Sequence, residues 1–100
     1  MTIYKTAHFK VRPEGLEKSK QAIREFVEYI KHNEPGTHLY TALQEAKDAT
    51  SFIHYFIFED ATAEEIHRTS DAVKRFTAIL YPETMDGVVF MDYTLAASTL

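Results

Sequence analysis

One hundred residues with a formal charge of −4 and no cysteine point to a single domain that has no disulfide, no thiolate metal site and no thiol nucleophile. A pI near 5.7 and eleven scattered Lys and Arg argue against nucleic acid or an anionic membrane surface as partner, since both require clustered cations. The start of the chain carries no apolar leader and no apolar run approaches the roughly 20 residues of a membrane span, so a cytoplasmic protein is expected.

Residues 3 to 11 alternate, with Ile3, Ala7, Phe9 and Val11 on one face and Tyr4, Thr6, His8 and Lys10 on the other, which predicts a strand. Pro13-Glu14-Gly15 breaks it. Leu16, Ile23, Phe26, Val27 and Ile30 then recur as a helical stripe. His32-Asn33-Glu34-Pro35-Gly36 stops that helix, because Pro disfavours helical geometry in the residue before it and Gly enters a turn freely. Thr37 to Glu45 alternates again, and residues 46 to 50 form a polar turn. Residues 52 to 58, Phe-Ile-His-Tyr-Phe-Ile-Phe, are β-branched or aromatic on both faces and read as a strand.

Thr62-Ala63-Glu64-Glu65 has the form of a capping box, with Glu64 and Glu65 favoured at a helix start by the dipole. The helix it opens should carry Ile66, Val73, Phe76, Ile79 and Leu80 into the core and end at Tyr81-Pro82. A last strand runs from Val88 to Leu95 after Gly87. Residues 1–100 thus form one domain, with a core over 3–95 and a frayed tail over 96–100. The fold class is α+β, a ferredoxin-like β-α-β-β-α-β unit with an antiparallel sheet.

Aromatic residues make up 13% of the chain, seven Phe and six Tyr without Trp, so rings must fill the core, line a pocket or cover an interface. Two helices cover one face of a four-stranded sheet, and the other face should be polar if it meets water. It is not: Ile53, Tyr55 and Ile57 oppose Phe52, Phe56 and Phe58, and Val89, Met91, Tyr93 and Leu95 oppose Val88 and Phe90. An open apolar face of that extent predicts a homodimer packed sheet to sheet, a dimeric α/β barrel; the alternative is a monomer with half-exposed rings at a strand edge.

Phe9-Lys10-Val11-Arg12-Pro13 before the first helix, Glu34-Pro35-Gly36-Thr37 followed by Tyr40, the aromatic third strand, and His67-x-x-Ser70 with Phe76 nine residues after the histidine occur in an order that resembles the antibiotic biosynthesis monooxygenase-like family across residues 3 to 95. The resemblance implies a dimeric barrel with a pocket between sheet and helices. It also implies oxidation of quinol-like or other small aromatic substrates with no flavin, haem or metal, the protein supplying desolvation, orientation and a base. The haem-degrading branch uses Asn, Trp and His where Ala7, His67 and Thr77 stand, so haem is not expected. Phe56 replaces a Glu common on the third strand, and the Trp of the anthrol oxidases is absent.

Within this frame His67 is the candidate catalytic base, beside the stripe Ile66, Val73, Phe76; its alternative is a helix-surface residue bonded locally. Tyr40, His54 and Phe58 are the candidate substrate-binding residues. His54 could equally be a structural histidine satisfied by a neighbour, and Tyr40 could pack at the dimer seam. His8 and His38 are assigned to outer or interfacial faces, and His32 to the last turn of the first helix. No H-x-x-x-H or H-E-x-x-H spacing supports a metal site, and Met85 and Met91 read as core. The leading expectation is a cofactor-independent monooxygenase; the alternative is a non-catalytic dimer that binds a small apolar ligand.

Overall fold

A computed structural model of residues 1–100 arranges four strands in one antiparallel sheet, in the order β2-β3-β1-β4. The elements are β1 (Ile3–Val11), α1 (Leu16–Asn33), β2 (Thr37–Gln44), β3 (Ser51–Phe58), α2 (Ala61–Arg68), α3 (Asp71–Leu80) and β4 (Thr84–Tyr93), with 3-10 turns at Pro13–Gly15 and Tyr81–Glu83. β1 and β2 are separated by the antiparallel β3, the split arrangement expected of the ferredoxin-like class.

α1 buries Ser19, Ala22, Ile23, Phe26 and Ile30 along one side, the stripe that its 3.6-residue period demands. Phe26 stacks on Phe76 with ring centroids 4.2 Å apart, which docks α1 on α3. Each such buried ring contributes about 2–3 kcal/mol. On the sheet side the period of two puts Phe52, His54, Phe56 and Phe58 of β3 under the helices, all buried, while Ile53, Tyr55 and Ile57 face away. Arg12 Nη2 donates to the buried Glu83 Oε1 at 2.7 Å and ties the start of the first crossover to the turn that launches β4. Asp48 accepts from the Thr50 amide and hydroxyl and from the Ser51 hydroxyl, which closes the β2–β3 hairpin.

Several expectations need correction. The second helix is two helices, and its N-cap is Asp60, which accepts from the Ala63 amide at 2.9 Å, so Thr62 does not cap it. Ser70 explains the break: its hydroxyl donates to the His67 carbonyl and accepts from the Val73 amide, ending α2 and capping α3 with one group. Ile66 lies on the outer face of α2 and is 56% exposed, while its neighbour His67 faces the cavity. Met85 and Met91 are not core either. Both are exposed on β4, an edge strand that begins at Thr84, earlier than expected, and ends at Tyr93.

β4 pairs Val89 with His8 and Met85 with Lys10, so it carries two more residues than β1 between those pairs. Asp86 (φ 64°) and Gly87 (φ 76°) absorb them in the left-handed region, which Gly enters without strain and Asp tolerates better than most residues. No helix is long and apolar enough to cross a membrane.

Candidate functional site

Between the sheet and the helices lies a cavity of about 460 Å³, a size suited to a small organic ligand. Phe9, Phe26, Phe56, Phe58, Phe76 and Leu80 supply much of its apolar wall; Tyr40, His54 and His67 are its interior polar groups. Phe90 of β4 lines it while remaining 57% exposed, so the opening is toward that edge. Lys5 and Glu64 also line it, and their ion pair of 2.6 Å ties β1 to α2.

The Glu34–Thr37 turn positions the first polar pair. The Thr37 amide donates to the Glu34 carbonyl at 3.0 Å, and its hydroxyl donates to Glu34 Oε1 at 2.8 Å. A Cβ on Gly36 would come within 2.7 Å of Ala63 Cβ, so only glycine lets α2 approach this closely. That approach brings His67 Nδ1 to 2.8 Å from Glu34 Oε1. Both side chains are withdrawn from solvent, at 12% and 3% exposure. Burial by itself pushes the Glu34 carboxyl up, but the hydrogen bond and charge of His67 and the Thr37 hydroxyl outweigh it and hold the group below the usual carboxylate range. Glu34 thus remains an anion, and with Nδ1 committed to it, Nε2 is the nitrogen of His67 left for a ligand.

Aromatic rings surround that imidazole: Phe58, Phe26, Tyr40 and Phe56 have centroids 5.1, 5.5, 5.7 and 6.2 Å from it. The second polar pair stands on β2 and β3, where Tyr40 Oη lies 2.8 Å from His54 Nδ1. Burial pulls His54 down to about 4, so it is neutral near pH 7. Burial, reinforced by the charge of Glu34 and by Tyr81, pushes the Tyr40 hydroxyl far above the ordinary phenol range, so it stays protonated.

His67, Tyr40, His54 and Phe58 therefore converge on one cavity. His67 bonds across 33 residues of sequence and not within its own helix. Tyr40 belongs to the helix-facing side of β2, away from the open sheet face. His8 lies on the open face against Thr6, His38 is exposed near Glu59, and His32 bonds Glu28 at the end of α1. The structure gathers no cluster of three His, Cys, Asp or Glu suited to a metal ion. Glu34 is the site residue that sequence reasoning missed, having been read as part of a helix stop and of a family motif but given no role in the cavity. A signal was present: a carboxylate at the C-terminal end of a helix opposes the dipole and needs a partner elsewhere.

Fold and cavity together define an α+β ferredoxin-like protein with an aromatic cleft between its sheet and helices. The chain belongs to the antibiotic biosynthesis monooxygenase family, whose profile matches residues 2–78. It is similar in structure to a Bacteroides thetaiotaomicron protein assigned provisionally to the antibiotic biosynthesis monooxygenases, with a TM-score of 0.91 at 19% identity over 99% of this chain and 93% of the other. A Mycobacterium tuberculosis protein superposes with a TM-score of 0.89 at 14% identity over the full length of both chains. A conserved Methanosarcina mazei protein gives 0.85 at 19% identity, covering 93% and 91%. These identities establish a shared fold. No curated protein sequence matches the chain.

Proposed function

We propose that this protein is a cofactor-independent monooxygenase of small electron-rich aromatic substrates, with the Glu34–His67 pair as its base. The pair carries the reading: a buried carboxylate holding one ring nitrogen orients the imidazole and stabilises the cation that forms when the other nitrogen takes a proton. A phenol deprotonated in an apolar cage becomes an electron-rich anion that reacts with oxygen at its free para carbon. One oxygen atom enters as the quinone carbonyl and the other leaves in water, so phenol plus O₂ gives quinone plus water. The phenol supplies all four electrons, and no external reductant is required. His67 accepts the hydroxyl proton, Phe58 and Phe56 hold the ring, and Tyr40 and His54 orient it.

The working unit in this proposal is a homodimer joined through the open sheet face. Leu43, Val89, Met91 and Tyr93 are each more than 40% exposed there, on a face whose extent is unusual for a monomer. One observation favours a second reading, a non-catalytic binder of an apolar ligand: Phe56 puts a ring where a carboxylate is common in the resembling family, which leaves the cavity mostly apolar. The test is oxygen consumption by purified protein with naphthols and reduced quinols, corrected for autoxidation. Protein-dependent uptake that His67→Ala abolishes supports the oxygenase; tight binding without uptake supports the binder.

A further inference from the structure

His54 has a feature that satisfied core histidines lack. Its Nδ1 meets the Tyr40 hydroxyl, but its Nε2 is buried and has no hydrogen-bond partner. The residue is 1% exposed and lines the cavity. The proton count decides what that nitrogen is. Tyr40 Oη makes no hydrogen bond besides the one to His54, and a phenol has a single proton to give. The arrangement that uses it has Tyr40 donating to Nδ1, which places the proton of a neutral imidazole on Nε2. An N–H donor is then left unmet inside an apolar chamber, a state that native proteins avoid unless a partner arrives.

The neighbouring strands leave room for one. His54 pairs in register with Ala7 on β1 and with Ala42 on β2, so the residues directly opposite it carry only methyl groups, with the rings of Phe9 and Tyr40 standing diagonally. Phe9 stands edge-on to it at 5.1 Å and Phe76 lies nearly parallel at 6.1 Å. Small residues on both sides and flat rings around it shape this part of the cavity for a planar group.

We propose that His54 Nε2–H is the specificity donor of the cavity, held by Tyr40 for the uncharged carbonyl oxygen of a planar aromatic ligand. The proposal rests on the reading that the cavity takes an aromatic ligand, and it adds which oxygen is recognised and by which atom. A carboxylate or phosphate is disfavoured at this position. The carboxylate of Glu64 lines the same cavity, and the cavity's two cations, Lys5 and Arg68, are already paired with Glu64 and Glu65; an unpaired anion would bear the full cost of dehydration.

Two measurements test it on the intact protein. Histidine side-chain ¹⁵N NMR of the free protein should show His54 as the Nε2–H tautomer near pH 7. Titration with 1-acetonaphthone and with 1-isopropenylnaphthalene, matched in heavy-atom skeleton but differing by the carbonyl oxygen, should move the His54 Nε2 resonance only for the ketone. The ratio of ketone to hydrocarbon affinity should fall about tenfold in His54→Leu, and His54→Gln, which keeps an N–H near that position, should retain part of it. An Nδ1–H tautomer, or an affinity ratio unchanged in His54→Leu, overturns the inference while the cavity reading stands. Failure of the wild-type protein to bind either compound removes the cavity reading and this inference with it.

Discussion

Glu34 and His67, 33 residues apart in sequence, meet at 2.8 Å through Oε1 and Nδ1, and the contact joins the end of α1 to the inner face of α2. It is the one place in the cavity wall where an anion and an imidazole share a buried hydrogen bond. The roles proposed for the two residues separate experimentally. His67→Ala removes the base and should lower the rate of oxygen uptake by 10²-fold or more. Glu34→Gln keeps the shape and a hydrogen bond but not the charge, and should lower the rate less than His67→Ala does. Oxygen-uptake rates of wild type, His67→Ala and Glu34→Gln check this; a Glu34→Gln rate equal to that of wild type would remove Glu34 from the mechanism.

Acid should destabilise the fold in two stages. His54 titrates at about 4 in the folded chain against an ordinary 6.5. Above pH 6.5 it is neutral folded or unfolded and contributes nothing to pH dependence. As the pH falls from 6.5 toward 4, the unfolded chain takes up a proton that the native state refuses, and stability drops by on the order of 3 kcal/mol. Glu34 has a depressed folded pKa, so its contribution is present above its ordinary 4.5 and is lost as the pH falls below that value. Urea unfolding at pH 7.5, 5.5 and 4 measures both stages. His54→Leu should flatten the curve between 6.5 and 4 and leave the lower stage.

Gly36 sets the distance between the turn and α2. Gly36→Ala introduces a methyl against Ala63 and should cost about 1–3 kcal/mol. Because α2 carries His67, oxygen uptake should fall by more than the unfolded fraction accounts for. Thermal melts alongside activity at 10 °C separate the two effects.

Phe58 is 1% exposed and packs beside His67. Phe58→Ala should destabilise the fold by about 3–5 kcal/mol and weaken aromatic ligands. Phe58→Leu should recover most of the stability and only part of the affinity, read by calorimetry with 1-acetonaphthone.

Met91 is exposed on the open sheet face, next to Thr6 of β1 in register. Met91→Lys places a charge in the middle of the proposed dimer seam and should yield monomers in sedimentation velocity with the secondary structure retained. A wild-type protein that sediments as a monomer would retire the dimer proposal.

The element order was legible in the sequence because periodicity is a local property. Alternation over 3–11 and 52–58 and the stripe from Leu16 to Ile30 report which side of each element is apolar, and four strands with two helical segments in this order leave few topologies. His67, Tyr40, His54 and Phe58 were legible as cavity candidates through their place on those faces and through the family resemblance. Tertiary structure decided the rest. The break at Ser70 and the cap at Asp60 depend on single side-chain hydrogen bonds, and the packing of α2 leaves Ile66 exposed although it is apolar. The bond from His67 to Glu34 and the unpaired Nε2 of His54 depend on which side chains from distant segments come within 3 Å. Local pattern carries burial, which accumulates along an element; hydrogen-bond partnership depends on the distance between atoms of different elements, and only the folded chain sets that.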